Sequence, residues 1–194
     1  MNKLAPEDLL SLEQYARERN EFRARVLAHK GPRRLAVGPS TSWCFEDRLT
    51  IQYQVQEMLR AERIFEPQGI AEELGAYNPL IPDGHNWKVT LLIEFPDPTE
   101  RQHRLQALKG IERRCWVRVQ GCEPVFAVAD EDLERENEEK TSAVHFLRFE
   151  LTPAMISALR AGASLSIGID HEVYRHSIEP VKDASRTSLV ADFS

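Results

Sequence analysis

Cysteine is scarce. Cys44, Cys115 and Cys122 make up the whole supply, and no two are spaced as Cys-x-x-Cys. An odd count argues against a disulfide framework. The spacing argues against a cysteine-rich zinc or iron–sulfur site, so the three read as small buried hydrophobes in a reducing compartment. Long apolar runs are missing too. The longest stretches, such as Val89 to Phe95, have strand length, far short of the roughly 20 apolar residues of a membrane helix. Met1 to Leu10 holds one lysine followed by acids, with no apolar run and no small-residue cleavage site, so no secretory signal is expected. These absences predict a soluble, cytoplasmic chain without membrane attachment. There is also no Gly-rich phosphate loop, no nucleophile elbow, no His-Glu-x-x-His and no zinc-ligand pairing.

What is present is ordinary globular composition: 194 residues, 42% hydrophobic and 29% charged. A chain of this length buries roughly 70% of its unfolded surface and needs no metal or disulfide to fold. One α+β domain spanning residues 1–194 is expected, mainly helical over 1–66 and strand-rich over 87–180. The net charge of −6 disfavours nucleic acid as a partner. Charge is uneven, however. Residues 1–34 carry eight Lys/Arg against five Asp/Glu, and residues 130–140 carry seven acids against two bases. Such asymmetry suits docking to a protein partner or a homo-oligomer, and equally a solvated face.

Along the chain, Pro6 opens a helix that runs to about His29, with a break near Asn20, and Gly31-Pro32 stops it. Arg33 to Val37 and Ser42 to Phe45 form a hairpin around Gly38-Pro39. A second helix runs from Asp47 to Phe65, with Ile51, Val55, Met58, Leu59 and Phe65 on one face. Ala76 to Asn86 is an irregular loop. Lys88 to Phe95 alternates as a strand, and Asp97-Pro98 caps a helix ending at Gly110. Cys115 to Gln120 and Val125 to Ala129 form a hairpin. Val144 to Leu151 is a strand, Thr152-Pro153 starts a short helix, and Leu165, Ile167 and Ile169 mark the last strand. Lys182 to Phe193 is a short helix. The result is five or six strands in a mainly antiparallel sheet with helices packed on it.

Several polar residues sit where chemistry could use them. Glu62 lies seven residues after Val55, on the apolar stripe of the second helix. It is either a buried metal ligand or general base, or a sign that the helix has left the core. His145 falls on the apolar side of its strand, as a ligand or as a hydrogen-bonded core residue. Asp170-His171-Glu172-Val173-Tyr174-Arg175-His176 follows an apolar strand and could supply His171 and His176 as metal ligands, or be a plain polar turn. Asp83-Gly84-His85 lies in the long loop, where function concentrates. Glu100-x-x-His103 is half of a di-iron carboxylate pattern, but no second copy exists, so that reading is rejected. The arginines and lysines from Arg17 to Arg34 read as a solvated helix face rather than a phosphate-binding one.

Phe45-Glu-Asp-Arg-Leu-Thr-Ile-Gln-Tyr-Gln-Val-Gln-Glu-Met-Leu-Arg60, Tyr77-Asn-Pro-Leu-Ile-Pro-Asp-Gly84, Glu139-Lys-Thr-Ser-Ala-Val-His-Phe-Leu-Arg-Phe-Glu-Leu151 and Tyr174-Arg-His176 resemble a bacterial family classed as a domain of unknown function. The resemblance runs over nearly the whole chain. It implies a cytoplasmic accessory role in a redox or peroxide-handling system, because such proteins are often encoded near rubrerythrin-like proteins and iron–sulfur oxidoreductases. It carries over no catalytic residues.

Two functions are therefore expected. The first is a non-catalytic accessory or adaptor protein that binds a protein of a redox system. The alternative is a metal- or small-ligand-binding enzyme. Its pocket would gather Glu57, Arg60 or Glu62, Asp83, His85, His145, His171, Tyr174 and His176, a set suited to iron, manganese or zinc. Glu57 and Glu62 cannot both face that pocket, because five residues rotate a helical side chain by about 140°.

Overall fold

The computed structural model describes residues 2–131 and 140–193. Within them two antiparallel sheets face each other. Sheet A has the order β1-β2-β3-β7-β6 and sheet B the order β5-β4-β8-β9. The strands of sheet A are β1 (Arg34–Ala36), β2 (Thr41–Phe45), β3 (Asn86–Ile93), β6 (Val128–Ala129) and β7 (Val144–Glu150). Those of sheet B are β4 (Cys115–Val119), β5 (Val125–Phe126), β8 (Leu165–His171) and β9 (Tyr174–Ile178). The helices are α1 (Leu12–Lys30), α2 (Arg48–Glu62), α3 (Pro67–Tyr77), α4 (Pro98–Ala107), α5 (Pro153–Arg160) and α6 (Asp183–Val190). The class is α+β, as expected, but among the described residues nine strands in two sheets replace five or six in one.

Alternation explains the layering. Trp87, Val89, Leu91 and Ile93 project from one face of β3 and meet Val117, Val119, Leu165 and Ile167 of sheet B in one buried cluster. Successive side chains on a strand point to opposite faces, so a two-residue apolar period yields one buried face per sheet. The sheets are stitched at both margins. On one side the expected hairpin after Cys115 is corrected: the chain pairs with β4 at Val125–Phe126 and with β7 of the other sheet at Val128–Ala129. On the other side Tyr174 of β9 reaches the β1–β2 turn. Its hydroxyl donates to the Val37 carbonyl over 3.0 Å and accepts from Ser40 N–H over 3.0 Å. At one end of the sandwich α6 accepts the Trp87 indole N–H on the Leu189 carbonyl, 2.9 Å away.

The helical part departs from expectation at its ends. Pro6 starts only a short 3-10 turn, and α1 begins after Ser11, whose hydroxyl accepts from Gln14 N–H while the Gln14 side chain accepts from Ser11 N–H. It then runs unbroken through Asn20. Asp47 caps α2 through Thr50 N–H at 2.9 Å, and the helix stops at Arg63 in the left-handed region, φ 56°. Phe65 is consequently exposed rather than on the apolar face. Two elements were not anticipated. The helix α3 is short and holds two glycines. The strand β9 occupies the stretch read as a polar turn, and only Glu172–Val173 turn there. Its sequence, Tyr174-Arg-His-Ser-Ile178, is too polar to signal a strand, because the strand lies at the sheet edge with one buried side chain. No helix among the described residues is long and apolar enough to cross a membrane. The acidic stretch noted in the sequence falls largely on residues 132–139, outside the described residues.

Candidate functional site

The structure disperses most of the polar residues that the sequence singled out. Glu57, on α2, accepts from Tyr15 Oη at 2.6 Å, from Arg19 Nε at 2.8 Å and from Arg19 Nη2 at 2.7 Å. It ties α1 to α2. Those arginine bonds, with the tyrosine hydroxyl adding to them against a smaller opposing effect of burial, hold its carboxyl below the usual carboxylate range. Arg60 and Glu62 are exposed, because α2 has left the core by its last turn. The buried-ligand reading of Glu62 is thereby corrected.

Asp83 and His85 stay close to each other at the start of β3. Asp83 pairs with Lys3 Nζ at 2.7 Å and accepts from Asn86 Nδ2 at 3.1 Å. Asn86 also donates to Glu150, which lies 3.4 Å from His85 Nε2. This is a surface network in which His85 is 60% exposed.

His145 is wholly buried. Nδ1 lies 2.6 Å from Asp130 Oδ2, and Nε2 lies 2.9 Å from Thr141 Oγ1 and 3.1 Å from the Ser142 carbonyl. The ring nitrogens tie β7 to Asp130 and to Thr141–Ser142, as a satisfied core histidine does. His171 Nε2 bonds the Lys109 carbonyl at 3.0 Å. Among the described residues no three His, Cys, Asp or Glu side chains gather as a metal ion would require. His145, His171 and His176 are therefore not brought together as one ligand set.

What does converge is Tyr174 with His176. Their rings meet edge to face with centroids 4.6 Å apart. Both press on Gly38, where a Cβ would lie 2.6 Å from the His176 ring and from the Tyr174 hydroxyl. Gly38 has φ 81°, so glycine serves both the turn and the close approach. Among the described residues the imidazole nitrogens of His176 have no hydrogen-bond partner. His176 borders two grooves, its ring on the Gly38 side and its backbone carbonyl beside Gly168. One, about 620 Å³, lies at the seam between the sheets and holds Glu94, Glu100, Arg104 and Tyr174. The other, about 520 Å³, lies on the outer face of sheet B with Trp116, Arg118, Phe126 and Arg175. Both fall in the size range of small-molecule sites.

The outer-face groove was missed in the sequence, although one signal was present. Cys115, Val117 and Val119 are the buried set of β4, so Trp116 falls on the opposite, solvent side. Gly168 interrupts β8 on that same side, and glycine within a strand marks a close approach.

Comparison with known proteins gives the family. Residues 3–193 match the family described as Protein of unknown function (DUF3501). The chain belongs to this DUF3501 family. A solved structure described as a novel protein of unknown function from Burkholderia pseudomallei is 49% identical, covers 100% of both chains and superposes with a TM-score of 0.94. No curated protein matches. The family resemblance seen in the sequence is thus established, while the fold and the family assign no activity.

Proposed function

We propose that this DUF3501 protein is a non-catalytic accessory protein that binds a protein partner in a cytoplasmic redox or peroxide-handling system. One observation supports this most. Three of the acid–base candidates that the sequence offered are engaged in holding the fold: Glu57 by Tyr15 and Arg19, His145 by Asp130 and Thr141, and Tyr174 by Val37 and Ser40. A general acid or base needs a free edge aimed at substrate, and these groups direct theirs at the chain itself. The test is co-purification of the full chain, at native expression level, with rubrerythrin-like and iron–sulfur oxidoreductase proteins of the same cell. Recovery of one of them in stoichiometric amount is the expected result. Recovery of none, with turnover of a small molecule by the pure protein, would overturn the reading.

A second reading, a metal- or small-ligand-binding enzyme, is supported by His176, which lines the seam groove together with Glu94 and Glu100. Imidazole with carboxylate suits iron, manganese or zinc. Elemental analysis of protein purified without chelator tests it. Near-stoichiometric metal that disappears in His176→Ala supports the enzyme, and metal-free folded protein removes the metal form of this reading.

A further inference from the structure

The outer face of sheet B is built in registered rows. The central row runs Phe126, Trp116, Gly168 and Ser177 across β5, β4, β8 and β9. Two aromatic side chains are followed by two small residues, and a groove of about 520 Å³ opens along this row. The Trp116 indole lies across Gly168, where a Cβ would sit 2.7 Å from Cε2. Phe126 is 45% exposed beside it.

The flanking positions are charged but balanced. On one side the Arg118 guanidinium lies over the Trp116 ring, Cζ 5.3 Å from its centroid, and forms an ion pair with Glu179. On the other Arg175 Nε pairs with Asp170 Oδ1 at 2.7 Å. Each wall therefore presents guanidinium donors and a carboxylate acceptor, held in position by one another, with no net formal charge. A polyphosphate or nucleic-acid backbone would find no excess of positive charge here, and the whole chain carries −6. A purely apolar ligand would leave four charged edges without use.

We propose that this trough binds an uncharged, flat nitrogen heteroaromatic ring of the nucleobase type. The ring stacks against the Trp116 indole, which itself fills the space over Gly168, and extends over the small Ser177. Its donor and acceptor edges meet the Arg118–Glu179 and Arg175–Asp170 pairs. Aromatic side chains stack on any base because every base has a π-face, and in-plane donors and acceptors then discriminate among them. This inference is independent of the accessory role, since a ligand-loaded accessory protein and an enzyme could both use such a site.

Trp116 supplies its own reporter. The chain has three tryptophans, and Trp43 and Trp87 are fully buried. The experiment is equilibrium dialysis of the full chain against adenosine, uridine and riboflavin, together with iodide quenching of tryptophan emission. At least one of the three binds saturably at one site and shields Trp116 from iodide. Trp116→Ala weakens that binding by roughly tenfold or more, the measured worth of one stacked base. Because the indole also covers Gly168, Arg175→Ala on the exposed edge strand is the second variant, expected to keep the fold and weaken binding by roughly tenfold. No saturable binding of any of the three probes by folded protein overturns the proposal. So does binding that neither variant alters, or displacement of the bound nucleoside by ribose 5-phosphate, which would indicate phosphate recognition instead.

Discussion

Arg33 and Asp192, separated by 159 residues, meet as a two-pronged ion pair inside the protein. Nη1 donates to Oδ1 over 3.0 Å and Nη2 to Oδ2 over 2.6 Å. Their side chains are 2% and 3% exposed. Arg33 also donates through Nε to the Phe45 carbonyl and through Nη2 to that of Glu46, and Asp47 lies 3.4 Å from Nε. The guanidinium thus fastens the C-terminal helix to the junction of β2 and α2.

Arg33→Met removes one partner and leaves buried carboxylates without a counter-charge. Such a change is expected to cost about 3–5 kcal/mol. Urea unfolding of the variant against the parent checks it, and a loss under about 1 kcal/mol would show that water reaches the pair.

Asp192 should also shape the pH profile. Burial pushes its carboxyl up to about 6, against the pull of Arg33. Between its ordinary 3.8 and about 6 the folded chain keeps a proton that the unfolded chain has released. This contribution is fully present below about pH 4 and is lost as pH rises through about 6. The stability advantage of the parent over Asp192→Asn is expected to shrink by about 2 kcal/mol between pH 4 and pH 7. Parallel urea curves across that range measure it, and a constant difference would contradict it.

Glu57 has the opposite sign. Its carboxyl is held below the ordinary value of 4.5 by Arg19 and Tyr15. The stability it contributes is present above that value and disappears as pH falls below it. Glu57→Gln is expected to cost about 1 kcal/mol at neutral pH, and the two proteins should converge in acid. Denaturation at pH 7 and pH 3 separates this from a loss of packing, which pH would not restore.

His145→Ala should unfold the protein more readily without touching either groove. It removes a buried ring and takes one hydrogen bond each from the Asp130 carboxylate and the Thr141 hydroxyl, a cost of about 2–4 kcal/mol. Thermal melting reads the loss. Ligand or metal binding lost with the melting temperature unchanged would return His145 to the list of ligands.

Gly38→Ala tests the seam. Alanine there meets a positive φ and the rings of Tyr174 and His176 at once, a combined cost of about 2–4 kcal/mol. Chemical denaturation measures it, and a loss under about 1 kcal/mol would mean that the turn moves away from β9.

Much of the architecture could be read without coordinates. The alternation in Lys88 to Phe95 and in Val144 to Leu151 gave strands and their buried faces, because a two-residue period has one physical solution. The caps at Asp47, Asp97 and Thr152 placed helix starts to within a residue or two, because local hydrogen bonds set them. The end of α2 was placed too late, since Phe65 continues the apolar period but the chain turns at Arg63. The strand β9 was invisible because its edge position buries only one of its five side chains.

The candidate site was less legible. The sequence identified Tyr174 and His176, and the structure brings those two together, but it could not tell that His145 faces Asp130 or that His171 faces the Lys109 carbonyl. Composition, periodicity and capping are local properties, and they determined the α+β class, most elements and the inward faces. Partner choice between residues far apart in the chain is a property of the packed chain alone. Only the tertiary structure decided that the strand after Pro124 divides between two sheets and that Arg33 finds Asp192. It also decided that Phe126, Trp116, Gly168 and Ser177 fall in one row, because each depends on which strands pair and in what register.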